Sequence, residues 1–218
     1  MTTQRFADRA QAARLLAQRL AAMHLAPPIV VLALPRGGVP IGAEVARVLH
    51  AGLDLLLVRK IGAPWQHELA VAAVVDGEPP EIVIDEPMLR KAGIGRDYIE
   101  AEARLALQEI DRRRALYLAG RAPLPLAGAT AIVVDDGIAT GTTMRAALKA
   151  LRRKGPRRLV LAVPVAPADT CAALRAEVDD LVCLAQPEPF RAIGLHYDDF
   201  HQLEDAEVIR ALAASHKP

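Results

Sequence analysis

The stretch Ile132-Val133-Val134-Asp135-Asp136-Gly137-Ile138-Ala139-Thr140-Gly141-Thr142-Thr143 decides how the chain is read. It runs from an apolar strand through two adjacent carboxylates into a Gly/Thr turn and then a helix. Backbone N–H groups at the start of that helix, with the hydroxyls of Thr140, Thr142 and Thr143, are the donors a phosphate monoester needs. Gly141 permits a tight turn and close approach of a ligand. Asp135 and Asp136 would repel a phosphate if they faced it. At the strand end they can accept hydrogen bonds from sugar hydroxyls or help to hold a divalent cation, directly or through water. With Gly and Thr alone the turn would be an ordinary helix start with solvated aspartates. The paired acids and clustered threonines instead ask for a ligand with a phosphate at one end and a diol in the middle.

Outward from this segment, short apolar runs of the buried-strand type recur at Ile29 to Leu34, Leu53 to Val58, Ala131 to Asp135, Leu159 to Val163 and Leu181 to Leu184. Helical stretches are expected at Ile41 to Leu49, Thr142 to Arg153, Ala168 to Ala176 and Glu204 to Ala214. An amphipathic N-terminal helix, Arg9 to Met23, is expected on the outside of the fold. This alternation predicts an α/β protein: a doubly wound, mainly parallel five-stranded sheet with helices on both faces. Residues 1–218 read as one domain, with an insert at roughly 77–128. A hairpin is expected from Val71 to Val75 and Glu81 to Ile84 around Asp76-Gly77, followed by a charged helix from Tyr98 to Tyr117.

Composition narrows the partners. With 27 basic and 26 acidic side chains the net charge is +1, so no global field attracts nucleic acid or an anionic membrane, and phosphate binding must come from local geometry. Arg112-Arg113-Arg114 therefore reads as solvated helix surface. The chain has no Asn and a single Ser, Ser215, which removes serine-nucleophile catalysis. Cys171 and Cys183 have neither metal-ligand nor C-x-x-C spacing. With no signal-type or membrane-spanning run, a cytoplasmic location is expected. Neither a Walker A sequence nor a G-x-G-x-x-G is present.

The segment from Ile132 to Thr143 resembles the 5-phosphoribosyl-1-pyrophosphate motif of type I phosphoribosyltransferases. Leu34-Pro35-Arg36-Gly37-Gly38, at the end of the first strand, resembles that family's pyrophosphate loop. Val58-Arg59-Lys60 is similar to an Arg-Lys pair in adenine and orotate members. The resemblance covers roughly residues 29 to 200. It implies transfer of a phosphoribosyl group from 5-phosphoribosyl-1-pyrophosphate to a small nitrogenous base, with release of pyrophosphate and with Mg²⁺ as cofactor. Arg36, Lys60, Arg59 and the amides of Gly37 and Gly38 would then hold pyrophosphate. Asp135 and Asp136 would orient the ribose and hold the metal, and the turn from Ala139 through Thr140, Gly141, Thr142 and Thr143 would anchor the 5-phosphate.

Ala139 stands where hypoxanthine and guanine members carry an Asp that assists at the purine, so that proton-transfer role has no counterpart. Gly62 to Glu68 is the candidate for the family's closing loop; His67 and Glu68 could be a general acid and its orienter, though a surface histidine is the simpler reading. Pro187 to Gly194, in a C-terminal base-pocket segment at roughly 186–203, resembles the stretch that stacks an aromatic on the purine in 6-oxopurine members, which implies Phe190 as a stacking platform for the base. Tyr197 and Phe200 either face a ligand or lock the C-terminus onto the core. The insert helix offers a surface for a homodimer. The alternative to an enzyme is a regulator that senses the same metabolite without turnover and binds nucleic acid or protein elsewhere. A phosphatase or lyase acting on phosphorylated sugars could also use this loop.

Overall fold

The computed structural model describes residues 5–77 and 79–214, leaving aside the side chain of Glu68. Its larger sheet contains β1 (Ile29–Ala33), β2 (Gly52–Leu55), β6 (Thr130–Val134), β7 (Arg158–Val165) and β8 (Asp180–Ala185) in the order β2-β1-β6-β7-β8. Every pairing in it is parallel. Both faces are covered, which is why these strands read as continuous apolar runs rather than alternating ones. Val31, Ala33, Ile132, Val134, Val160 and Ala162 face one core, shared with α1 (Arg9–Ala21) and α2 (Gly38–Leu49). Their neighbours Val30, Leu32, Ala131, Val133, Leu159 and Leu161 face the other, where α5 (Thr142–Arg153) contributes Met144, Ala147, Leu148 and Leu151. Full burial stabilises by roughly 1.5–3 kcal/mol for each large aliphatic side chain. The expected doubly wound sheet is therefore observed.

One strand differs from the expectation. The apolar run Leu53 to Val58 serves two sheets. β2 stops at Leu55, the buried pair Leu56-Leu57 turns the chain, and β3 (Val58–Ala63) opens a second, antiparallel sheet with β4 (Gln66–Val75) and β5 (Glu81–Ile84). The Leu56 amide donates to the Ala33 carbonyl of the first sheet, and the Asp76 amide donates to the Leu57 carbonyl from the second. Unbroken hydrophobicity carries no mark of such a change of direction.

The expected hairpin is present as β4 and β5, with Ala72 opposite Ile84 and Val75 opposite Glu81. Gly62 to Glu68 is itself a hairpin end, with Pro64 and Trp65 in the turn between β3 and β4 and Trp65 exposed at the tip. A helix not anticipated from the sequence, α3 (Glu86–Ala92), follows. Asp85 caps it through Met88 N, Pro87 sits in its first turn, and Gly93 ends it at φ 64°. α4 (Arg96–Leu118) covers the expected charged helix and buries Ile99, Ala103, Ala106, Ile110 and Tyr117, a stripe at helical spacing. The chain closes through α6 (Ala168–Leu174) and α7 (Asp205–Ala214).

Candidate active site

The turn after β6 is assembled from three directions. Strand β6 is buried along its whole length and delivers Asp135 and Asp136 at its carboxyl end. The Ile138 amide donates to the Val165 carbonyl of β7, and Thr170 Oγ1 of α6 donates to the Ala139 carbonyl. Gly141 takes φ 72° immediately before α5, and a Cβ there would lie 2.9 Å from Thr170 Cγ2, so glycine is required both by conformation and by space. The Arg145 amide donates to the Gly141 carbonyl as the first bond of α5. The amides of Thr142, Thr143 and Met144 are therefore ahead of the helix's own ladder and point at the turn. Thr140 and Thr142 are exposed and Thr143 is half-buried.

The loop after β1 leans on these carboxylates. Its Pro35–Arg36 peptide is cis. A Cβ on Gly37 would meet Asp136 Oδ2 at 2.0 Å, and one on Gly38 would meet the Val134 carbonyl oxygen at 2.8 Å. Both positions must be glycine for the two loops to touch. The Arg36 guanidinium lies 3.8 Å from Asp205 Oδ1 at the start of α7, and that same oxygen accepts a 2.6 Å hydrogen bond from the Tyr117 hydroxyl of α4. Burial, and then that hydrogen bond, push the Tyr117 hydroxyl up to about 12.

A cleft of about 310 Å³ runs along the carboxyl edge of the sheet. Its walls include Pro35, Arg59, Asp135 and the turn from Gly137 to Met144, with Ile110 and Arg113 of α4 on the remaining side. Arg59 and Lys60 are neighbours on a strand and so face opposite ways. Arg59 lines this cleft, whereas Lys60 lines an adjoining cavity of about 390 Å³ that shares Thr140, Thr142 and Thr143 with it. Phe190 is not among the residues lining the cleft; its ring stacks on His196 with centroids 5.2 Å apart. Arg113 carries no distinguishing mark in the sequence, where it reads as one of three solvated arginines.

The two aspartates have different surroundings. Asp136 is buried and its Oδ2 accepts a 2.8 Å hydrogen bond from Arg9 Nε, in an ion pair buried on both sides. Its backbone carbonyl accepts a 2.6 Å bond from the Tyr197 hydroxyl. Asp135 faces the cleft, and its Oδ1 accepts the Asp136 amide at 2.8 Å. Burial, and next the charge of Asp136, raise the Asp135 carboxyl well above the ordinary carboxylate range. Burial also raises Asp136, against the opposing pull of Arg9.

Arg9 therefore belongs to the site's support, and no local pattern in the sequence marks it. Its guanidinium also covers the Phe200 ring at 3.9 Å. Tyr197 packs between Phe6 and Phe200, with centroids 5.5 and 5.0 Å apart. Of the two readings for these aromatics, the structure bears out the one in which they lock the C-terminal segment onto the core.

The basic triplet is internally paired. Arg112 and Arg113 both bond Glu109, and Arg114 pairs with Asp76. Among the described residues no group of three His, Cys, Asp or Glu side chains is placed to hold a metal ion. No helix of the described residues is long and apolar enough to cross a membrane.

The parallel sheet covered by helices on both faces defines the class, a doubly wound α/β protein. Residues 6–199 match the phosphoribosyl transferase domain, and the chain belongs to that family. It is 44% identical over 212 residues to a Mycobacterium tuberculosis protein named "Putative phosphoribosyl transferase", covering 97% of this chain and 47% of the relative. The chain thus spans about half the length of the curated relatives it matches. Among solved structures, the protein TT1426 from Thermus thermophilus is 42% identical, with a TM-score of 0.85 over 97% of this chain and 99% of that one. A Neisseria gonorrhoeae protein crystallised with bound ppGpp shares the fold at 14% identity and a TM-score of 0.53, over 98% of each chain.

Proposed function

We propose that this domain transfers a phosphoribosyl group from 5-phosphoribosyl-1-pyrophosphate to a nitrogenous base and releases pyrophosphate, as a cytoplasmic enzyme of nucleotide salvage. The observation that carries this reading is that three sequence segments, the turn Asp135–Met144, the loop at Pro35 and the strand start at Arg59, line one cleft. The donors of Thr140, Gly141, Thr142 and Thr143, with the backbone at Ala139, hold the 5-phosphate. Binding energy from this remote group fixes the reacting carbon. Asp135 accepts from the ribose hydroxyls and stabilises positive charge developing on the sugar. Asp136 acts behind it, since Arg9 occupies its carboxylate and its amide orients Asp135.

Arg59 lines the pyrophosphate end. Arg36 and the Gly37 amide would close it from the β1 loop, whereas the Gly38 amide already donates to the Leu34 carbonyl. Lys60 approaches the threonine turn from its other side. One cleft-facing carboxylate, with a second tied to Arg9, is a donor set that suits Mg²⁺ carried on substrate phosphate oxygens rather than in an all-protein cage. Asp135 would hold such an ion, whose chemistry is to neutralise charge on the departing pyrophosphate. The base would lie on the β7–β8 side, where a Cβ on Gly137 would meet Ile193 at 2.6 Å, so the C-terminal segment already covers the turn there.

The test is pyrophosphate release with Mg²⁺, 5-phosphoribosyl-1-pyrophosphate and a panel of purines, pyrimidines, orotate and nicotinate. Release with at least one base is expected. Binding without release across the panel would replace the enzyme with a sensor. The pairing of Arg112, Arg113 and Arg114 with acids of the same chain weighs against the nucleic-acid form of that sensor.

A further inference from the structure

The cleft is lopsided. Its walls come from residues that follow β6, β1 and β2, and none of the described residues that line it follows β7 or β8. In the sheet order β2-β1-β6-β7-β8 this means that it extends from the threonine turn towards the β1 loop and the β2 end. The wall above that end is not part of the sheet. It is α4, which presents Ile110 and Arg113 to the cleft.

Arg113 is held there by geometry. Its Nε donates to Glu109 Oε1 at 2.8 Å, one turn back along the helix, which fixes the side chain while leaving its terminal nitrogens outside that bond. Arg112 shares the same partner through Nε and Nη2 but is not among the residues lining the cleft. One turn further along α4, the Tyr117 hydroxyl feels the charges of both Arg113 and Arg36 while it donates to Asp205. Arg36, 3.8 Å from Asp205, is not among the residues that line the cleft. Arg59 lines the cleft together with Arg113.

Two guanidiniums, those of Arg59 and Arg113, in the wall of a cleft whose other wall is a turn of neutral donors imply a ligand with its greater negative charge on the arginine side. Arginine, charged at any working pH and forked, suits oxygen pairs on phosphates. We infer that Arg113 of the insert helix α4 is a pyrophosphate-binding residue, a cation supplied from outside the β1-loop, β3 and β6-turn segments that carry the rest of the site. This rests on the reading of the cleft as a 5-phosphoribosyl-1-pyrophosphate site.

The test uses calorimetric titration of the full chain with three probes in the presence of Mg²⁺: 5-phosphoribosyl-1-pyrophosphate, inorganic pyrophosphate and ribose 5-phosphate. Arg113→Ala is expected to weaken the first two by about tenfold to a hundredfold, the range of a lost charge-assisted hydrogen bond, and to leave ribose 5-phosphate unchanged. Arg113→Lys should recover part of the loss. Arg112→Ala, which removes the other partner of Glu109, should bind all three probes as the wild type does.

Equal affinity of wild type and Arg113→Ala for pyrophosphate would overturn the inference while leaving the site reading intact. A uniform loss across all three probes would show that Arg113 acts through structure, and would also overturn it. Failure of the wild type to bind 5-phosphoribosyl-1-pyrophosphate at all would instead remove the reading on which the inference rests.

Discussion

Arg9 and Asp136 are 127 positions apart in the chain and 2.8 Å apart in the fold. Removing one partner of a buried ion pair leaves an uncompensated charge and costs roughly 3–5 kcal/mol. Arg9→Ala is therefore expected to lower the urea midpoint substantially, and Asp136→Asn to do so as well. Asp135→Asn should behave differently. It faces the cleft and, among the described residues, has no cation in an ion pair with it, so the substitution should weaken 5-phosphoribosyl-1-pyrophosphate binding without lowering the midpoint. Equal destabilisation by both Asn variants would mean that the two aspartates do not have separate tasks. At this scale the acids, threonines and glycines are legible in the sequence, because one short segment holds them all. Arg9 is not, because its partner is supplied by tertiary packing. Phe190 reads as a stacking platform for a base, and in the fold its ring stacks on His196.

Among the elements, α4 supplies the wall of the cleft that does not come from the sheet's loops, through Ile110 and Arg113. Hydrogen bonds from Arg112 and then Arg113 hold the Glu109 carboxyl down at about 2, against an ordinary value near 4.5. A carboxyl lowered in the fold contributes stability that is fully present above its unfolded value and is lost as pH falls through the folded one. The stability gap between wild type and Glu109→Gln should therefore be present at neutral pH and close between about pH 4.5 and pH 2, as followed by thermal melts. A gap that persists at pH 2 would contradict the pairing. The pair is exposed, so the gap should also shrink in high salt.

The buried stripe of α4 is legible from its spacing, as is the β4–β5 hairpin from Asp76-Gly77. The break between β2 and β3 is not, since the run from Leu53 to Val58 suits either sheet. The short α3 carries its capping signals at Asp85, Pro87 and Gly93, but seven residues are too few for a helical period to stand out beside them.

Over the whole molecule, the alternation of buried strands and helices is enough to specify the sheet, because a parallel sheet covered on both faces has few other ways to bury continuous apolar runs. Both cores depend on that arrangement. Leu148→Ala on α5, at a fully buried position, should cost about 2–5 kcal/mol in chemical denaturation. Its effect on ligand affinity should be small, because the turn is also fixed by β7 and α6 through Val165 and Thr170.

The net charge of +1 is in keeping with this architecture. Many of the surface cations are paired with acids, as Arg47 is with Glu44 and Arg152 with Asp179. The cleft gathers its positive potential from Arg59, Arg113 and the start of α5. The most direct measurement of the central claim is a calorimetric titration of 5-phosphoribosyl-1-pyrophosphate, with Mg²⁺, into the wild type and into Asp135→Asn. Saturable one-site binding to the wild type, at least about tenfold weaker in the variant, is the predicted result. Identical affinities in the two proteins, or no binding to a folded wild type, would contradict the assignment of this cleft.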